Sequence, residues 1–267
     1  MLTQTQHVGD QQNTKTKQVL SSHLRIASIN IEGNCHLDRV IPFLKKQNVD
    51  IICLQEVFSQ NLILFEQQLE KKSYFCANAT LTKSNDFRFD PLGEWGTAIL
   101  TNLPIIERGQ NYYFGKSQYT PELVPYNNNS RYRALQFVNV VYEDIVFTIA
   151  TTHFTWSPNG KPDLKQWRDL RKLLPILKDL KSFTLLGDFN APRGSAVFSE
   201  LSKYYQDNIP SSIKSTIDGT LHRSGEINLV VDGIFTTSDY YASNVEIHTG
   251  VSDHCALIAN IQRQFSY

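Results

Sequence analysis

The feature that most constrains this chain is a series of short apolar runs, most of which end on a carboxylate, an amide or a histidine. LRIASIN ends on Asn30, DIICLQE on Glu56, IVFTIATTH on His153, and FTLLGDFN carries Asp188 and Asn190; Asp232 lies inside LVVDGIF, and Asp253-His254 precedes CALIANI. Runs this short and this apolar read as buried strands. WGTAILT, RALQFVNVVY and NVEIH read as further strands. Leu37, Val40, Ile41 and Leu44 fall on one face of a helix, with Pro42 predicting a late start or a kink. Leu62, Phe65 and Leu69 mark a second helix; Leu164, Trp167, Leu170, Leu174 and Leu177 form the stripe of a third, ended or bent at Pro175. Strands mixed with helices in this way imply an α/β fold, a four-layer α/β/β/α sandwich with two mixed sheets face to face and helices outside.

Residues 1–23 are rich in Gln, Thr and Lys without periodicity and read as a flexible polar tail; 24–267 read as a single domain. Lys plus Arg and Asp plus Glu are both 26, a formal net charge of zero, which excludes a protein held on a polyanion by bulk charge. The third helix nevertheless carries a local basic excess. No apolar run approaches the roughly 20 residues of a membrane span, and no secretory signal is recognisable. Cys35, Cys53, Cys76 and Cys255 show no CxxC pairing, so free thiols and a cytoplasmic location are expected. The stretch from Glu107 to Arg131 reads as one long irregular loop rich in tyrosine, either lining a substrate cleft or packing on itself.

Acids and amides at the ends of apolar strands converge on one rim of a sheet. The set here is nearly all oxygen, with two histidines, which suits Mg²⁺ or Mn²⁺ rather than zinc. Glu56 is the natural metal carboxylate. A divalent cation, a water-orienting aspartate and donors to phosphate oxygens are the parts that phosphoester hydrolysis needs. Taken singly, each residue has a plainer explanation: a strand-end cap, a tight turn at GDFN, a satisfied core histidine.

The ordered set LRIASINIEGN, DIICLQEV, GTAILTNLPI, IATTHF, LLGDFN, VVDGIF and GVSDHCAL resembles the endonuclease/exonuclease/phosphatase superfamily from about Leu24 to Ile261. That superfamily includes pancreatic-type deoxyribonucleases, abasic-site endonucleases, tyrosyl-DNA phosphodiesterases, neutral sphingomyelinases, deadenylases and inositol polyphosphate 5-phosphatases. The resemblance implies that Glu56 binds the cation and that Asn30 helps hold the metal site and the phosphate. It implies that His153 and Asn190 contact the phosphate and that Asp188 orients or deprotonates the attacking water. It further implies that Asp232 fixes the tautomer of His254, which acts as transition-state stabiliser or general base, and that Asp253 binds the cation directly or through water. Glu32 stands where relatives usually carry Asp and is a second-tier metal ligand by the same resemblance.

The shared core does not choose a substrate. Trp156, just after His153, is a candidate stacking residue, Arg193, just after GDFNAP, a candidate partner of a second phosphate, and Arg133 a candidate groove residue. A nuclease or nucleic-acid phosphodiesterase acting as a monomer is the leading expectation. A phosphatase or phosphodiesterase for lipids or small metabolites is the alternative; a non-catalytic binding module is disfavoured because every core catalytic position holds a competent residue.

Overall fold

The structure, a computed structural model, describes residues 23–83, 87–116 and 118–264. The segment read as a tail lies, up to residue 22, outside the described residues. The chain runs β1 (Leu24–Asn30), α1 (Leu37–Gln47), β2 (Ile51–Phe58), α2 (Leu62–Leu69), β3 (Lys72–Leu81), β4 (Gly93–Thr101), β5 (Ile105–Phe114), β6 (Arg133–Tyr142), β7 (Ile145–His153), α3 (Leu164–Leu180), β8 (Thr184–Asp188), α4 (Ala196–Leu201), β9 (Gln206–Asp207), β10 (Asp232–Thr236), β11 (Tyr240–His248) and β12 (Ala256–Arg263).

These strands form two mixed six-stranded sheets, ordered β11-β12-β1-β2-β4-β3 and β5-β6-β7-β8-β10-β9. Leu24, Ile26, Ile51, Cys53 and Ile99 of the first sheet meet Val138, Phe147, Ile149, Leu186 and Ile234 of the second in the central core. The opposite faces are covered as well. Ala27, Ile29, Ile52 and Leu54 pack under Val40 and Leu44 of α1 and Phe65 of α2. Leu185 and Phe235 pack under Leu170, Leu173 and Leu177 of α3 and Phe198 of α4. Central strands buried on both faces need continuous apolar sequence, which is why β1, β2, β7 and β8 read as runs rather than as alternations.

Two local expectations give way to the structure, and two others narrow: α1 does not start late at Pro42 and α3 does not end at Pro175. Both prolines lie inside their helices: α1 spans Pro42 and α3 spans Pro175. Each forgoes a backbone hydrogen bond, but the buried faces on either side keep the helix continuous. The buried face of α3 is Gln166, Asp169, Leu170, Leu173 and Leu177, while Leu164 is 88% exposed. The stretch from Glu107 is not wholly irregular, because β5 runs to Phe114. That strand is the edge of its sheet, with half of its residues exposed, and lacks the apolar run that marks the interior strands.

Candidate active site

Strand register assembles one half of the site. In the second sheet His153 of β7 pairs with Asp188 of β8, and Asp188 pairs with Asp232 of β10. The three side chains therefore begin in one row across adjacent strand ends. Gly187 permits the close approach of β7 and β8, since a Cβ there would collide with the carbonyl oxygen of Thr152. His254, just before β12, donates or accepts through Nδ1 at 2.9 Å from Asp232 Oδ2, and its Nε2 lies 3.9 Å from Asp188 Oδ2. Asn30 crosses from the first sheet, its Nδ2 donating to Asp188 Oδ2 at 3.1 Å. Asn190 closes the turn after β8, its backbone N–H donating to Asp188 Oδ1 at 2.8 Å and its side chain to the carbonyl of Phe154 at 3.1 Å.

Glu56 arrives by a different device. The pairing of β2 with β4 shifts between Gln55 and Val57, a β-bulge, and Glu56 has φ of 59°. In regular alternation adjacent residues face opposite sides. Here both reach β7: Gln55 Nε2 donates to Thr151 Oγ1 at 3.1 Å, and Glu56 Oε1 lies 3.7 Å from His153 Nε2.

The electrostatics follow from burial. Asp188 is 1% exposed; burial, then Asp232 and Glu56, raise its carboxyl to about 7 against the pull of His254. Burial opposes the charged form of His254, but Asp232 and Asp188 outweigh it and hold the imidazole well above its usual range. His153 goes the other way. Burial, then the charges of Arg133 and Arg131, hold it neutral, and its buried Nδ1 has no hydrogen-bond partner.

Beside this row, Glu32, His36 and Asp253 are all buried and bring one ligand atom each within 4.8 Å of one another. Burial, then the neighbouring charge of Asp253, pushes Glu32 up to about 8, and Glu56 adds to the repulsion. Arg88 Nη2 at 3.4 Å is the cation that touches Glu32. Converging carboxylates, rich in oxygen donors, fit a divalent cation.

Two predicted substrate residues are placed elsewhere. Arg193 donates to Asp207 Oδ2 and to the carbonyls of Ile209 and Pro210, at 2.8, 2.7 and 3.2 Å, so its guanidinium ties the turn after Asn190 to the segment after β9. Arg133 is 1% exposed and donates to the carbonyl of His153 at 2.8 Å; it lies beneath the site, not in a groove. Trp156 is half-buried in the irregular segment after β7.

Sequence reasoning missed residues whose partners lie in distant segments. Arg131 lies 5.8 Å from the Phe87 ring centre and 5.9 Å from that of Trp95, with a buried, unpartnered Nε. Burial and Arg133 lower its pKa to about 10, against the attraction of Glu56. Arg223 sits 5.6 Å from the ring centre of Tyr126 and acts on Glu32. The second half of the tyrosine-rich stretch therefore borders the site. Gln166 of α3, fully buried, donates to the carbonyls of Thr155 and Asn190 at 2.8 and 3.0 Å, joining the segments that follow His153 and Asp188. No local motif marks any of these residues, because their partners are distant in sequence.

A four-layer sandwich with acids, amides and histidines at one rim of its sheets defines a fold class shared by many hydrolases. The sequence matches the model of the Endonuclease/Exonuclease/phosphatase family over residues 27–254, and the chain belongs to that family. A search of curated proteins gave no match. Among solved structures, the chain is similar to an endonuclease/exonuclease/phosphatase from Bacteroides vulgatus, with TM-score 0.70, 16% identity, and coverage of 91% of this chain and 100% of that one. It is similar to a mannosyl-6-phosphatase of Bacteroides thetaiotaomicron VPI-5482, with TM-score 0.64, 15% identity, and coverage of 89% and 99%. It is also similar to D. rerio TDP2 in complex with a single-strand DNA product, with TM-score 0.63, 13% identity, and coverage of 90% and 99%. No helix among the described residues is long and apolar enough to cross a membrane.

Proposed function

We propose that residues 24–267 form one catalytic unit, a divalent-cation-dependent phosphoester hydrolase acting on nucleic acid. The observation that carries this reading is the Asp188–His254–Asp232 group, a buried carboxylate beside an imidazole that a second carboxylate orients at 2.9 Å. Asp188 takes the proton of the attacking water as the water oxygen adds in line to phosphorus. The P–O ester bond opposite breaks, its electron pair leaving with the alcohol oxygen, which takes up a proton. The raised pKa of Asp188 makes it a stronger base than an exposed aspartate. His254, kept protonated by Asp232, donates through Nε2 to the oxygen on which negative charge grows. Asn30, Asn190 and neutral His153 offer N–H groups to the other phosphate oxygens, and Arg131 adds a fixed positive charge.

Glu32, Glu56 and Asp253 would hold the cation, Mg²⁺ or Mn²⁺. When bound, it supplies Lewis-acid polarisation of the phosphoryl group. Arg131 with Phe87 and Trp95, and Arg223 with Tyr126, put guanidinium groups and ring faces beside the site, a pairing that suits a phosphate backbone with unstacked bases. A sugar-phosphate monoester is the second reading, favoured by the similarity to the mannosyl-6-phosphatase. A panel of single-stranded and duplex DNA, RNA, sugar phosphates, inositol phosphates and sphingomyelin, each with Mg²⁺ and with EDTA, tests both. Cleavage of nucleic acid that EDTA abolishes is expected. Preference for a sugar phosphate would select the second reading, undiminished turnover in EDTA would refute the cation, and silence across the panel would refute catalysis.

A further inference from the structure

Helix α1 begins on a residue ill-suited to begin it. Its N-cap is His36, at φ −128° and ψ 23°, and the side chain makes no capping hydrogen bond. Ser, Thr, Asn or Asp is the usual residue at this position, because its side chain can satisfy a free N–H group of the first turn. The imidazole is turned away from that task. It is 6% exposed, and Nε2 lies 3.0 Å from Glu32 Oε2. A residue that breaks a local rule without a local return marks a site whose purpose lies elsewhere.

What lies beside it is the carboxylate group described above. Ligand atoms of Glu32, His36 and Asp253 fall within 4.8 Å of one another, a spacing that one ion can bridge. Glu32 and Asp253 are 8% and 7% exposed, so water satisfies these groups only in small part. The competing cation, Arg88, is also held by the carbonyl of Leu221 at 2.9 Å, so it is shared between two duties.

We propose that His36 is a nitrogen ligand of the divalent cation held by Glu32 and Asp253, and that the site is therefore selective for Mn²⁺ over Mg²⁺. Mg²⁺ is a small hard ion that surrenders its water reluctantly, whereas Mn²⁺, larger and less hard though still at home among carboxylates, admits an imidazole nitrogen beside them at lower cost. The alternative role for His36, a hydrogen bond that only orients Glu32, would leave an all-oxygen site with no such preference. The inference rests on the cation-dependent reading above.

The test is pulsed electron paramagnetic resonance on the full chain loaded with Mn²⁺, together with calorimetric titration by Mn²⁺ and by Mg²⁺. Wild type should show nitrogen modulation of the Mn²⁺ echo, and H36Q should lose it. Mn²⁺ affinity should fall roughly tenfold or more in H36Q while Mg²⁺ affinity changes far less; an equal loss for both ions is what removing a partner that only orients Glu32 would give, and would overturn ligation by His36. H36N, which installs a favoured N-cap residue, provides the same comparison should H36Q fold poorly. Mn²⁺ binding without nitrogen modulation, or modulation that survives in both variants, overturns the role of His36 and leaves the cation-dependent hydrolase standing. Failure of wild type to bind Mn²⁺ at all overturns both.

Discussion

Gln166→Leu isolates the tie between the two segments that carry the reacting groups. Leucine has nearly the same volume, so the fully buried position stays filled. The substitution removes the donors to the carbonyls of Thr155 and Asn190, at 2.8 and 3.0 Å. A buried acceptor left without its donor costs about 1–3 kcal/mol, so two would cost about 2–6. Gln166 Oε1 is itself buried without a partner, so its removal recovers part of that cost. We therefore expect a net loss of about 2–4 kcal/mol, at the cautious end of the same range. Urea denaturation should show a lower midpoint with an unchanged slope. Asn190 would drift with its segment and loosen its grip on Asp188, lowering kcat by about tenfold to a hundredfold at a temperature where the variant is folded. Substrate KM should change little, because Gln166 touches no substrate. Reduced stability with wild-type kcat would show that the tie is structural only and would refute the coupling.

Asp188→Ala and His254→Ala should each lower kcat by several orders of magnitude with folding intact by circular dichroism. A variant within about tenfold of wild type, roughly 1.4 kcal/mol, would mean that its residue was wrongly assigned. Arg193→Ala should lower the thermal midpoint and leave KM unchanged, since the guanidinium is bound to Asp207 and two carbonyls; a rise in KM at constant stability would return Arg193 to the substrate. Burial works against ionised Asp218, but hydrogen bonds from Thr220, Gly250 and Leu221 outweigh it and hold its pKa below 3.8. The stabilisation it gives is therefore present above that pH and fades as pH falls through the folded value. Wild type should be more stable than Asp218→Asn at neutral pH, with the gap closing in acid; a gap independent of pH would contradict the assignment.

The layering of the fold was legible because burial on both faces writes itself into sequence as unbroken apolar runs, as in Ile51–Leu54. The strand-end residues were legible for the same reason: Asn30, Glu56, His153 and Asp188 interrupt those runs. What escaped was whatever depends on contacts between distant segments. The edge strand β5 is solvated and carries no apolar signature. Arg193 and Arg133 look alike as sequence, yet one braces a surface turn and the other lies 1% exposed under His153. Arg131, only two positions from Arg133, faces Phe87 and Trp95 instead. Gln166 and Asp169 occupy buried positions on a helix whose apolar spacing points through Leu164 instead, because polar residues with buried partners have the same composition as a solvated face.

The bulge at Glu56 makes this site depend on a count of residues as well as on their kinds. One additional residue in β2 puts two neighbours on the same side of the sheet and frees the second to reach the rim. Deleting Gln55, with Glu56 kept, would restore regular alternation, and every pairing of Ile51–Leu54 upstream would be untouched. Such a chain would keep its core and point the wrong side chain at the rim. Chemistry here can be switched off by length alone, with no catalytic residue replaced.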